Sequence, residues 1–172
     1  MELVDLYDEN RAPLGKTAER YGEKGRGEYR TVVHICVFDH AGRMLIQRRV
    51  PDKRIWPGRW DVAAAGGVDA GETSRQAAER EFREELGYIL DLRDLRPSLT
   101  VNFAGGYDDF FIVVQDVDLT RLTLQREEVA EVRWVTLEEA EDMVADGRFI
   151  PYPPSFLRFL YEMRLQFGFP TK

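Results

Sequence analysis

The stretch Ala65–Tyr88, AGGVDAGETSRQAAEREFREELGY, decides how the chain is read. Its charged part carries the signals of a helix. Thr73 is a natural N-cap and Gln76, three residues on, completes a capping box. Gly87 stands where a C′ glycine ends a helix. Ala78, Phe82 and Leu86 recur every four residues and form a core-facing stripe. At ~100° per residue, Glu81, Glu84 and Glu85 fall on one face. Like charges at that spacing weaken a bare helix by a few tenths of a kcal/mol. Arg80 and Arg83 offset part of this, and a divalent cation would offset more. Three converging carboxylates are hard oxygen ligands suited to Mg²⁺ or Mn²⁺, which complete their coordination with water and substrate phosphate. A solvated face laced with salt bridges is the alternative that the helix alone leaves open.

Outward from this helix the chain is rich in strands. ELVDLYDENRAPLGKT alternates apolar and polar residues about a turn and predicts an N-terminal hairpin. GEKGRGE (residues 22–28) predicts a mobile connection. RTVVHICVFD and MLIQRR predict a second hairpin about the turn HAGR, and PDKRIWPGRW a loop carrying basic and aromatic residues. DLRPSLTVNFA, DDFFIVVQDVD and EVAEVRWV predict further strands, with a glycine-rich turn GGYD at 105–108 between the first two. Thr136 caps a second helix with Glu139 at N3, and Gly147 stops it. A third begins at Pro154 or Ser155 and ends at Gly168. There is no internal repeat and no interdomain linker. The expectation is one α+β domain over 1–172, with layered helices and strands.

The bulk numbers bound the function. With 172 residues, 44% hydrophobic and 32% charged, the chain has material for one core. A net charge of −7 argues against nucleic acid as a partner. An anionic small molecule stays possible where local cations gather. The lone cysteine, Cys36, lies in the apolar run VVHICVF and reads as a small buried hydrophobe. The first residues lack the pattern of a signal peptide and no stretch is long enough for a membrane span. A cytoplasmic protein is expected, with no membrane partner and as a monomer or homodimer.

Gly66, five residues, Glu72, seven residues, Arg80-Glu81-Phe82, one residue, Glu84-Glu85, one residue, Gly87-Tyr88: this spacing resembles the Nudix box, G-x5-E-x7-R-E-U-x-E-E-x-G-U, at every fixed position over 66–88. Phe82 and Tyr88 replace the usual aliphatics at the hydrophobic places. The resemblance implies an α/β/α sandwich with a mixed sheet, here preceded by the hairpin and connection of residues 1–28. It implies that Glu81, Glu84 and Glu85 hold Mg²⁺ or Mn²⁺ with the Gly66 carbonyl. Glu72 and Arg80 would form an orienting pair behind them. The implied activity is hydrolysis of a diphosphate linkage in a nucleoside diphosphate or related compound. Catalytic candidates are Glu81, Glu84 and Glu128. The general base is left open between Glu81 and a later glutamate, Glu127 or Glu128.

MLIQRRVPDKRIWPGRW, with the hairpin before it, is similar to the Nudix branch that includes type 1 isopentenyl-diphosphate isomerases. In those enzymes basic residues at the places of Arg49 and Lys53 contact the diphosphate. Guanidinium and ammonium groups suit that task. Trp56 joins them as a substrate-binding candidate. The isomerase's cysteine acid/base falls at Ala65 and its metal-binding histidine at Gly67, so isomerase chemistry does not carry over. The acidic isomerase site falls near YDDF (Tyr107–Phe110). Asp108 or Asp109 could add a ligand there, against the blander expectation of an exposed turn. Trp56, Trp60, Phe103, Tyr107 and Phe110 offer either a stacking surface or core. His34 is expected on one face of a core strand and His40 in a turn. An isopentenyl-diphosphate isomerase-like enzyme with rearranged acid/base groups and an inactive diphosphate-binding module remain as alternatives.

Overall fold

The strand Arg30–Phe38 (β3) is the spine of the molecule, for which a computed structural model describes residues 2–166. Before it, β1 (Leu3–Tyr7) and β2 (Pro13–Glu19) form a separate antiparallel hairpin. After it come β4 (Met44–Arg49), β5 (Trp60–Val62), β6 (Ala64–Gly67), α1 (Ser74–Leu86), β7 (Leu99–Phe103), β8 (Gly106–Val114), β9 (Val129–Val135), α2 (Leu137–Ala145) and α3 (Pro154–Met163). β3 to β9 make one mixed seven-stranded sheet.

β3 pairs in parallel with β8 along its whole length, from Arg30 beside Gly106 to Phe38 beside Val114. Its other edge takes β6, antiparallel, from Val32–Gly67 to Ile35–Ala64. β4 meets β3 only at Phe38–Met44 and then diverges to lie between β5 and β9. The predicted second hairpin is therefore real at its turn but not along its length. Alternate residues of β3 feed two cores. Val33, Ile35 and Val37 join Leu45, Phe111 and the α1 stripe Ala78, Phe82 and Leu86. Cys36 and Phe38 join Met44, Ile46 and the α2 and α3 residues Met143, Leu157 and Leu160. Both faces are covered, which is why VVHICVF is apolar at every position but His34. The architecture is an α+β sandwich with helices on both faces of a mixed sheet.

Both capping boxes form, at Thr73 with Gln76 and at Thr136 with Glu139. Gly87 caps α1 at φ 64°, in the left-handed region that glycine adopts without strain. Two sequence expectations need correction. α3 starts on Pro154 but ends at Met163, before Gly168, which lies outside the described residues. Asp108 and Asp109 are not in an exposed turn but inside β8, which begins at Gly106. At that glycine a Cβ would stand 1.8 Å from the Arg30 carbonyl oxygen, so the GGYD glycines serve close strand packing as well as the turn.

Asp109 is fully buried. It takes an ion pair from Arg11, whose backbone turns at φ 62° in the loop joining β1 to β2. It also accepts from Ser74 Oγ (2.5 Å) at the start of α1 and from Thr100 Oγ1 (2.6 Å) on β7. One carboxylate thus ties the hairpin to the sheet and to the helix. Replacing Asp109 with Ala strands the Arg11 guanidinium and two hydroxyls. We expect a loss of about 2–4 kcal/mol, because one partner of a buried charged network is removed. Urea unfolding of the Asp109→Ala variant measures it.

Candidate active site

α1 lays one charged edge against the β6 backbone. Glu81 and Glu85 are buried, while Glu84 on the same edge is exposed. The three carboxylates line one polar cavity of about 330 Å³ with Lys53, Glu128 and Arg80. Gly66 is the floor beneath Glu81. A Cβ there would lie 2.0 Å from the Glu81 carboxyl group, so only glycine leaves the carboxylate its place.

Arg80 organises this edge. Its Nε and Nη2 grip Glu72 in a two-pronged pair, 2.9 Å each, and Nη2 also donates to the Gly67 carbonyl at 3.0 Å. Its Nη1 reaches Glu81 at 2.9 Å and Glu84 at 3.2 Å. The pair with Glu72 stands where the sequence placed it, and the reach to Glu81 and Glu84 goes beyond that reading. The Glu72 hydrogen bonds push the Arg80 pKa up, and burial alone keeps that rise in check. Glu85 is held from the other side by Gln47 Nε2 on β4, at 2.8 Å. The Gln47 Oε1 atom is buried without a partner.

Among the described residues, no three acidic, histidine or cysteine side chains already converge as a metal site. Glu81 and Glu84 turn to Arg80 and Glu85 turns to Gln47, so the carboxylates share a cavity but not a point. They nonetheless fit a hard divalent cation. Burial raises the Glu81 pKa, and burial followed by the Glu81 charge pushes Glu85 up to about 8. Such packed carboxylates lack enough positive charge, and the orphaned Gln47 oxygen beside them is one more hard acceptor.

The two basic residues taken from the loop part company. Lys53 faces the carboxylate cavity and is ion-paired with Glu128, so the candidate phosphate ligand and the candidate base hold one another. Burial lowers the Lys53 pKa, and the Arg49 charge adds to this. Glu127 is exposed and outside the cavity lining. Arg49 instead donates to the Ile55 carbonyl at 3.0 Å and lies 3.4 Å from Asp61. It borders a second cavity of about 390 Å³ whose walls include Tyr21, Trp56, Phe103 and Tyr152. Trp56 sits there at φ 50°, an uncommon conformation for a tryptophan. Trp60, Tyr107 and Phe110 are core instead.

The two cavities adjoin. Arg20, Tyr21 and Ala65 line both. Sequence reasoning missed Arg20 and Tyr21, which follow directly on β2. A cation–aromatic pair at the end of a hairpin was the available signal. Arg20 pairs with Glu2 at 2.8 Å and feels the charge of Glu81. Ala65 presents only a methyl group at the junction. Cys36, the lone thiol, is fully buried in the sheet, and burial pushes its pKa up.

A mixed sandwich that sets a glutamate-edged helix beside a cavity with basic walls defines a class of enzymes acting on phosphate anhydrides. Comparison with known proteins names that class. The NUDIX domain family matches residues 28–153. An uncharacterized Nudix hydrolase of Listeria innocua is 48% identical over 164 residues, covering 95% of this chain and 96% of that one. The isopentenyl-diphosphate Delta-isomerase of Cutibacterium acnes is 32% identical over 181 residues, covering 97% and 87%. A crystal structure from Deinococcus radiodurans superposes with a TM-score of 0.75 at 23% identity, covering 93% of this chain and 99% of that one. The chain belongs to the Nudix family, and its class of activity is hydrolysis of a diphosphate link. Among the described residues no helix is long and apolar enough to cross a membrane.

Glu85 gives a pH prediction that needs no cation. In the folded protein its carboxyl holds a proton up to about pH 8, whereas the unfolded chain releases it near 4.5. The folded state therefore binds the extra proton between those values, and stability falls as pH rises through that window. Glu85→Gln removes the group. In metal-free buffer the variant should gain on the wild type from pH 4.5 to about 8, by up to about 5 kcal/mol, and level off above. Denaturant midpoints at a series of pH values measure this.

Proposed function

We propose that the protein is a Mg²⁺- or Mn²⁺-dependent hydrolase of a diphosphate linkage in a nucleoside diphosphate or a related nucleoside-diphosphate-linked compound. The observation that carries this reading is the adjacency of the two cavities. A molecule with its diphosphate over the glutamates and a flat group between Trp56 and Phe103 spans both.

In this reading Glu81, Glu84 and Glu85, with the Gly66 carbonyl, would hold the cation, which would supply charge neutralisation for the phosphate and a more acidic water. Arg80, fixed by Glu72, keeps the helix edge in register with the β6 backbone and acts as a positioning residue. Lys53 offers its ammonium to the diphosphate, and in doing so it leaves Glu128. That carboxylate is then free to take the proton of the attacking water. Arg49 and Trp56 hold the remainder of the substrate. Isomerase chemistry lacks its acid: Ala65 carries no proton, and Cys36 is sealed in the core.

Turnover of a nucleoside diphosphate panel with and without Mg²⁺ tests the reading. Glu85→Gln should lower kcat at least about 100-fold through loss of a ligand to the cation. Glu128→Gln should lower kcat by about 10²–10⁴, the range of a removed general base, and change KM little. Activity that survives both chelation and Glu85→Gln would overturn the mechanism. In a separate measurement, Gly66→Ala should weaken Mn²⁺ binding in calorimetry by about tenfold or more, since its methyl collides with Glu81.

A further inference from the structure

Gln47 is a polar side chain in a place where the sheet is otherwise apolar. It lies on β4 between β5 and β9, opposite Asp61 on one side and Val132 on the other, and is 1% exposed. Leu45, two positions earlier on the same face of the strand, belongs to the core that α1 covers. A leucine or methionine at 47 would continue that core. The amide instead leaves its Oε1 atom buried with no hydrogen-bond partner, an arrangement that costs stability and that few native groups show. The same amide directs its nitrogen at Glu85 Oε2, at 2.8 Å. Turned over, it would set its oxygen against the carboxylate in the ionised form that a cation binds.

Glu85 is held differently from its neighbours. Glu81 and Glu84 both accept from Arg80, whose full positive charge competes with a divalent ion for them. Among the described residues, Gln47 is the one side chain that donates to the Glu85 carboxylate. It is neutral and cancels no charge, and with Oε2 occupied, Oε1 is left for the cavity that Glu85 lines. The terminal torsion of a glutamate is broad, and a donor on one oxygen narrows it. A carboxylate already oriented gives up less freedom when it binds. We propose that Gln47 is a positioning residue for the divalent cation: its neutral amide orients Glu85 and leaves that carboxylate's charge undivided for the ion, with the unpaired Oε1 as the stability given up for it. The inference rests on the cation reading above and adds to it a residue outside the stretch 66–88.

Calorimetry with Mn²⁺ tests this through a double-mutant cycle of Gln47→Met and Glu85→Gln. Gln47→Met keeps the length of the side chain and removes both the donor and the orphaned oxygen. It should weaken Mn²⁺ binding by about tenfold or more, the usual effect of removing a group that holds a metal ligand. In the Glu85→Gln background the same change should alter Kd by less than about twofold, because no carboxylate is left to position. Metal-free Gln47→Met should melt within about 5 °C of the wild type, since the lost hydrogen bond and the lost unpaired oxygen oppose each other. A side chain that only filled the core would give a lowered melt and equal weakening in both backgrounds, and that outcome overturns the inference. So does a Gln47→Met that binds Mn²⁺ as tightly as the wild type. The wild type supplies an independent reading by NMR. The Gln47 side-chain amide resonances should shift as Mg²⁺ is added and stay fixed in Glu85→Gln; resonances that ignore Mg²⁺ in the wild type overturn the inference while the cation reading stands. A wild type that binds neither ion removes the cation reading itself, and the inference with it.

Discussion

The grip of Arg80 is the constraint on which the site depends. One planar guanidinium holds Glu72 with two of its nitrogens, the Gly67 carbonyl with one of these, and Glu81 and Glu84 with the third. It fastens the loop before α1, the β6 backbone and the acidic edge of α1 in one arrangement. A lysine could not do this, because its ammonium is a point charge without a fixed fork. The grip also explains how carboxylates at i, i+3 and i+4 coexist: Arg80 supplies charge to two of them and leaves Glu85 to Gln47.

The two cavities are assembled in different ways. The carboxylate cavity is largely local in sequence, built on the stretch from Gly66 to Glu85, with Lys53 and Glu128 brought in by loops. The aromatic-walled cavity is assembled from distant segments: Arg20 and Tyr21 after the hairpin, Arg30 and His34 on β3, Phe103 and Asp108 on β7 and β8, and Tyr152 before α3. The parallel pairing of β3 with β8 sets Arg30, His34, Asp108 and Phe110 side by side. A strand can carry such a set because alternate side chains reach the same face.

This division sets what was legible in the sequence. The helix, its two caps, the apolar stripe and the glutamate face are local patterns of three to eight residues, and the chain writes them openly. β6 was not foreseen, because Ala64 to Gly67 has no strand propensity; its neighbours impose the conformation. Asp108 and Asp109 were misread because two glycines before them signal a turn, whereas Gly106 enters the strand to let β3 come close. The pairs Arg11–Asp109 and Lys53–Glu128 span 98 and 75 positions in the chain and have no local signature. The resemblance to the box points to glutamates of α1; it carries no sign that the loop lysine and the late glutamate hold each other.

The N-terminal hairpin lies outside residues 28–153, yet it is anchored to the sheet and also reaches the site. Arg11 anchors it through Asp109, and the far end delivers Arg20 and Tyr21 to the junction of the two cavities. The wall shared by the two cavities is therefore carried on a separate clip, fixed by a carboxylate that takes no part in the glutamate edge. Variation in the clip can reshape which molecules are accepted while the acidic helix stays untouched. In such an architecture, new preferences can be acquired without first weakening the machinery that breaks the bond.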